Sequence, residues 1–213
     1  MGRYLYISGV PGTGKTATVT EVLQQLRLEA RAGRLPDFNF VELNGLRLPS
    51  PQHAYTCLHE SLTGECLGPA AALQALQDRF VGGVGADGRV TVLLVDELDT
   101  MVTRTQDVLY SLFEWPLSRQ ARLAVVGIAN TMDLPERLLP KIVSRLGDGR
   151  MTFKPYSMQQ LLAIVGSRVG EYADVLPKAA QTFVCRKVCV CVCMCVWSGV
   201  LEATPLSQRA FSQ

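Results

Sequence analysis

The chain has 213 residues, 21 Lys+Arg against 19 Asp+Glu for a formal charge of +2, with 48% hydrophobic and 19% charged residues. Near-neutrality excludes a polyelectrolyte that grips nucleic acid through its mean charge, so any such contact must be a local patch, and the apolar content excludes disorder. No apolar run reaches the length of a membrane-spanning helix, and the opening MGRYLYISGV is too short in its apolar part for a secretory signal and, with Tyr6, fails the myristoylation pattern.

Tyr4–Ser8, a short β-branched and aromatic run, reads as a buried strand that feeds a glycine-rich turn. A helix follows from about Lys15, with Val19, Val22, Leu23, Leu26 and Ala30 on one face at a 3.6-residue period, and Gly33 and Pro36 end it. Phe38–Leu43 is the second strand. Ser50-Pro51 predicts an N-cap followed by proline at the first helical position, opening a helix with Tyr55, Leu58 and Leu62; Leu73, Leu76 and Phe80 mark another. Four glycines between Gly82 and Val90 predict a flexible loop. Thr91–Val95 is an apolar strand, as expected in a sheet covered on both faces. Val108, Leu109, Leu112 and Phe113 form a helical stripe, Leu123–Ala129 a buried strand and Met151–Lys154 a last short one. Asp133-x-x-Glu136 and Ser157-x-x-Gln160 have the spacing of capping boxes. Alternating strands and helices predict an α/β fold with a parallel sheet and right-handed crossovers.

The seven cysteines are unevenly placed: Cys57 and Cys66 lie in the body, while Cys185, Cys189, Cys191, Cys193 and Cys195 crowd together near the end. A secreted disulfide framework is spaced otherwise, so the thiols are expected to be reduced, in the cytosol or nucleus. Over Val188–Val196 the alternation would put four thiols on one face of a strand, but zinc sites usually draw C-x2-C pairs from two segments. The plainer reading is a low-complexity tail with no packing partner, prone to aggregation and oxidation.

Three strand ends carry the chemistry. Gly9-Val10-Pro11-Gly12-Thr13-Gly14-Lys15-Thr16 matches G-x-x-x-x-G-K-[ST] at every fixed position, with a strand before it and a helix after. Its glycines let several N–H groups face one centre at a helix N-terminus, an anion nest. Lys15 supplies a charge to β- and γ-phosphates, and Thr16 a hydroxyl to Mg²⁺. The apolar Val92–Val95 ends in Asp96 and Glu97, which a parallel sheet places beside the phosphates. Asp96 would hold Mg²⁺ through water, and Glu97 would orient or deprotonate an attacking water. Asp99 reads as a further acid or as a helix cap. Leu123–Ala129 ends in Asn130, which, if the two strands are neighbours, can reach the γ-phosphate and the attacking water. Asn130-Thr-Met-Asp133 lacks the lysine of the guanine-reading N-K-x-D, so ATP is expected rather than GTP.

Together YISGVPGTGKTATV, VLLVDELD, ANTMDLPER, SRLG and DVLYSLFEWP resemble the AAA+ ATPases of the initiator clade, over roughly residues 4–187. The resemblance implies a P-loop NTPase core with a five-stranded parallel sheet flanked by helices (residues 1–154) and the beginning of a C-terminal helical lid (155–187); the cysteine–valine tail (188–213) lies beyond the resemblance and is expected from its composition to be unstructured. Gly9 to Thr16 would be Walker A, Asp96 and Glu97 Walker B, and Asn130 sensor 1. Arg145 in Ser144-Arg145-Leu146 would be the arginine finger that reaches a neighbouring subunit's ATP. Implied with these are ATP and Mg²⁺, the other subunits of an origin recognition complex, origin DNA and a nuclear location, with no membrane. A helicase loader of the cell-division-control-6 type, a nucleotide or small-molecule kinase and a lid-less, non-catalytic fragment are the alternatives. The family's base-contacting segment precedes the first strand, yet Met1 lies almost at that strand; no arginine after Arg186 matches its second sensor. The clade's extra helix after the second strand fits Ser50–Thr63, where Arg47 could touch a DNA phosphate.

Overall fold

The computed structural model describes residues 4–83, 88–131, 134–146, 149–169 and 178–189. Among them, five strands form one all-parallel sheet: β1 (Tyr4–Gly9), β2 (Phe38–Asn44), β3 (Val90–Asp96), β4 (Leu123–Ala129) and β5 (Arg150–Phe153), in the order β2-β3-β4-β1-β5. Parallel neighbours need crossovers, and helices supply them. α1 (Lys15–Arg31) follows β1; α2 (His53–Thr63) and α3 (Pro69–Phe80) follow β2; α4 (Asp107–Glu114) follows β3; α5 (Leu134–Arg137) and α6 (Pro140–Leu146) follow β4. The chain divides at Phe153/Lys154 into two compact units, each described by itself.

Successive residues of a strand face opposite sides of the sheet, and the core divides accordingly. On one face Tyr6, Val41, Leu43, Leu93, Val95 and Val125 pack with Leu58, Leu76, Phe80, Leu112, Phe113 and Trp115 from the helices. On the other, Ile7, Leu94 and Ile128 meet Leu23 of α1. The central strands are therefore apolar on both sides, as the run Thr91–Val95 predicted.

α1 departs from expectation. Its apolar period is present, but only Leu23 of the predicted stripe is fully buried; Val22 is 49% and Leu26 37% exposed. On that side of the sheet only Ile7, Leu94 and Ile128 are buried with Leu23 among the described residues, so the buried stripe is narrower than the sequence pattern. Ser50 is not an N-cap: α2 begins at His53, after Gln52, and the Ser50 hydroxyl pairs with His53 Nδ1 at 2.8 Å.

A buried glutamine bolts α4 to the segment before α6. Gln106, 5% exposed with φ 55°, stands just before α4. Its Nε2 donates to Arg137 O at 3.0 Å and its Oε1 accepts from Leu139 N at 2.9 Å.

In the second unit, α7 (Met158–Val169) begins with the predicted capping box: Ser157 N donates to Gln160 Oε1 (2.8 Å), and Gln160 N donates to Ser157 Oγ (3.3 Å). Residues 178–189 are helical, with Cys185 buried. Cys189 thus belongs to a helix rather than to the strand its alternation suggested; the rest of the cysteine–valine tail lies outside the described residues, as does Asp133 of the other capping box.

Candidate nucleotide site

The loop after β1 is shaped by its glycines. Gly12 (φ 80°) and Gly14 (φ 79°) occupy the left-handed region, where a side chain is strained. Gly9 has no room for one: a Cβ there would lie 2.6 Å from Phe153 O and 2.9 Å from Phe153 Cβ. Thr13 Oγ1 closes the turn by donating to Val10 O at 2.8 Å. The loop runs directly into α1, so unpaired N–H groups of the helix start share its open centre with the positive end of the helix dipole.

Lys15 is only 4% exposed, and its Nζ donates to Gly9 O (2.7 Å) and Val10 O (3.1 Å). Burial pulls its pKa below the ordinary lysine value, against the opposing pull of the Glu97, Asp96 and Asp99 carboxylates. Three acids therefore stand close enough to act on the ammonium.

Asp96, 7% exposed, ends β3, and β3 and β4 are neighbours. Its Oδ2 accepts from Thr16 Oγ1 at 3.1 Å, and its Oδ1 accepts from Glu97 N at 2.9 Å. A loop hydroxyl and a strand-end carboxylate thus meet beside a buried ammonium. Hard oxygen donors of this kind suit Mg²⁺, which takes one or two protein oxygens and completes its shell with water and phosphate. Thr16 and Asp96 fit that cation.

Glu97 adopts the left-handed backbone (φ 56°), a strained conformation often found at functional positions. Its Oε2 accepts from Asn130 Nδ2 at 2.7 Å. Asp99, read from sequence as an acid or a cap, reaches across to the tip of β4. Its Oδ2 accepts from Asn130 N at 2.6 Å and its Oδ1 from Thr131 Oγ1 at 2.7 Å. Asp99 therefore fixes the residue that in turn holds Glu97. The only sequence signal for this was its place three residues after Asp96; the partner, 31 residues away, gave none.

Arg145 is not brought to this cluster. It stands on α6, and its guanidinium is engaged by Tyr110 and Glu114 of α4 and by Lys141 O. Arg47 is exposed on the 3₁₀ turn Gly45–Arg47 that leaves β2.

Residues 5–150 match the ATPase family associated with various cellular activities (AAA). Over 191 residues the chain is 47% identical to origin of replication complex subunit 1A of Arabidopsis thaliana, covering 88% of this chain and 24% of the relative. Over 189 residues it is 50% identical to origin recognition complex subunit 1 of Drosophila melanogaster, covering 88% of this chain and 20% of that protein. The chain thus spans about a quarter or less of the length of these relatives. Among solved structures, Drosophila ORC bound to DNA superposes with a TM-score of 0.76 at 45% identity, over 87% of this chain and 45% of that one. The Aeropyrum pernix ORC1 protein in complex with DNA superposes with 0.65 at 24% identity, over 79% of this chain and 44% of that one, a likeness of fold.

Proposed function

The chain belongs to the AAA family of ATPases, and from that premise we propose that it is the ATP-binding core of an origin recognition complex subunit 1, acting in the nucleus. In this reading ATP and Mg²⁺ bind at an interface with another subunit of the complex and control its assembly on origin DNA. One observation carries the nucleotide reading: the Thr16 hydroxyl and the Asp96 carboxylate meet at 3.1 Å, beside a lysine folded over a glycine loop. The 47–50% identity to origin recognition subunits supports the assignment to that complex, and the likeness to Drosophila ORC bound to DNA supports the DNA partner.

The N–H groups of Gly9 to Thr16 and the Lys15 ammonium grip the β- and γ-phosphates. Thr16 and Asp96 hold Mg²⁺, which when bound supplies charge neutralisation for the phosphates. Glu97 orients the attacking water or takes its proton. Asn130 faces the same water and sets the direction of the Glu97 carboxylate, and Asp99 holds Asn130 in place. Arg145 serves the nucleotide of a neighbouring subunit, and a neighbour's arginine completes this one. An arginine supplied in trans is worth roughly 10³–10⁵ in rate, so the isolated chain binds ATP and turns it over slowly. Residues 155–187 serve as the beginning of a lid, and Arg47 touches a DNA phosphate.

Mg-ATP binding and hydrolysis by the purified chain test the reading. Lys15→Ala is expected to abolish binding; equal binding by wild type and variant overturns the assignment.

A further inference from the structure

Arg145 and Lys141, one turn apart on α6, both reach the ring of Tyr110 on α4. The Arg145 guanidinium carbon lies 4.3 Å from the ring centroid, and the Lys141 ammonium 4.7 Å. Arg145 Nη2 donates to the Tyr110 hydroxyl at 2.7 Å and to Glu114 Oε1 at 3.2 Å. The Tyr110 hydroxyl donates to that same glutamate oxygen at 2.8 Å, and Arg145 Nη1 donates to Lys141 O.

A planar guanidinium has five donors in one rigid fork. Here the ring fixes one face, the hydroxyl and carboxylate fix one nitrogen, and the helix's own carbonyl fixes another. The arginine side chain is nevertheless 22% exposed, so it is held at the surface rather than buried in the core. Exposed ion pairs gain little against the entropy of ordering two long side chains. Arg145 Nε, moreover, is buried with no acceptor, a penalty that a side chain swung into water would escape. The four residues also leave two cations against one carboxylate, an excess of positive charge suited to a polyanion.

We infer that Tyr110 and Glu114 are positioning residues: they set the Arg145 guanidinium, before any neighbour arrives, in the orientation in which it meets a neighbouring subunit's triphosphate. This inference rests on the role proposed above for Arg145. A preset guanidinium loses less freedom on meeting its target, and such orientation is worth large factors in rate.

The test uses the chain assembled with partner subunits of an origin recognition complex, reading kcat and KM for ATP at the neighbour's site. Arg145→Ala should lower kcat by roughly 10³-fold or more. Tyr110→Ala should lower kcat by about 10- to 100-fold with KM within about twofold. Tyr110→Phe keeps the ring and should recover most of that loss; Glu114→Gln combined with Tyr110→Phe should lose it again, with an unchanged melting temperature. In the Arg145→Ala background Tyr110→Ala should cost nothing further, because both act through one group. Normal kcat with Tyr110→Ala beside a slow Arg145→Ala overturns the positioning role, as does a loss that persists undiminished in the arginine-free background. Full activity with Arg145→Ala overturns the underlying assignment and this inference with it, a different and separable result.

Discussion

Two clusters face one another at the ends of the central strands, and different forces fix them. The loop from Gly9 to Thr16 is held by backbone: left-handed glycines, a root that leaves no room for a Cβ beside Phe153 O and carbonyls that seat its lysine. The tips of β3 and β4 are held by side chains: Asp99 grips Asn130 and Thr131, and Asn130 grips Glu97. Backbone shape tolerates almost no substitution at its glycines but needs few partners. A side-chain network tolerates backbone variety but fails when one member is removed. On the proposed function, gripping would fall to the first cluster and aiming to the second.

The strongest way to break the contrast is Gly9→Val. Its side chain would start within 2.6 Å of Phe153 O, so loss of Mg-ATP binding and destabilisation of about 1–3 kcal/mol are expected together, read by titration and thermal melting. Next comes Asp99→Ala, which frees the Asn130 amide. Hydrolysis should fall about 10- to 100-fold while the ATP dissociation constant stays nearly unchanged; an equal loss of binding would merge the two clusters into one functional unit.

The smallest effect sharpens the comparison through pH. Burial lowers the Lys15 pKa, and on the proposed function the triphosphate needs the ammonium. Affinity for Mg-ATP should therefore fall as pH rises through that lowered value, with proton uptake on binding, and the slope should vanish in Lys15→Met. Stability of the empty fold has the opposite sign. The cost of holding a charged, buried lysine is present below the lowered value and is relieved as pH rises toward the ordinary one.

What the amino-acid order disclosed follows the same division. The glycine pattern of the loop was legible because it lies within eight consecutive residues, whereas the closeness of Phe153 to Gly9 was not; β3 and β4 were legible because strands covered on both faces need unbroken apolar runs. The partners of Asp99, 31 and 32 residues away, were not legible, nor was the contact of Arg145 with Tyr110, 35 residues away. Side-chain pairing over such separations is decided by how helices settle on the sheet, and no local propensity encodes it. The same holds for α1, whose exposed Val22 and Leu26 carry the same period as its buried Leu23. Ser50 misled for a different, local reason: a histidine three residues on took its hydroxyl.

Gln106 has a mechanical consequence. With its amide bolted to Arg137 and Leu139 at one end of α4, and Tyr110 and Glu114 clasping Arg145 farther along, side chains tie α4 to α6 and the turn before it at two separate places, as one slab. A guanidinium mounted on such a slab travels only as far as the slab does. On the role proposed for Arg145, the angle at which whole proteins dock, rather than the swing of a single side chain, would then act as the throttle.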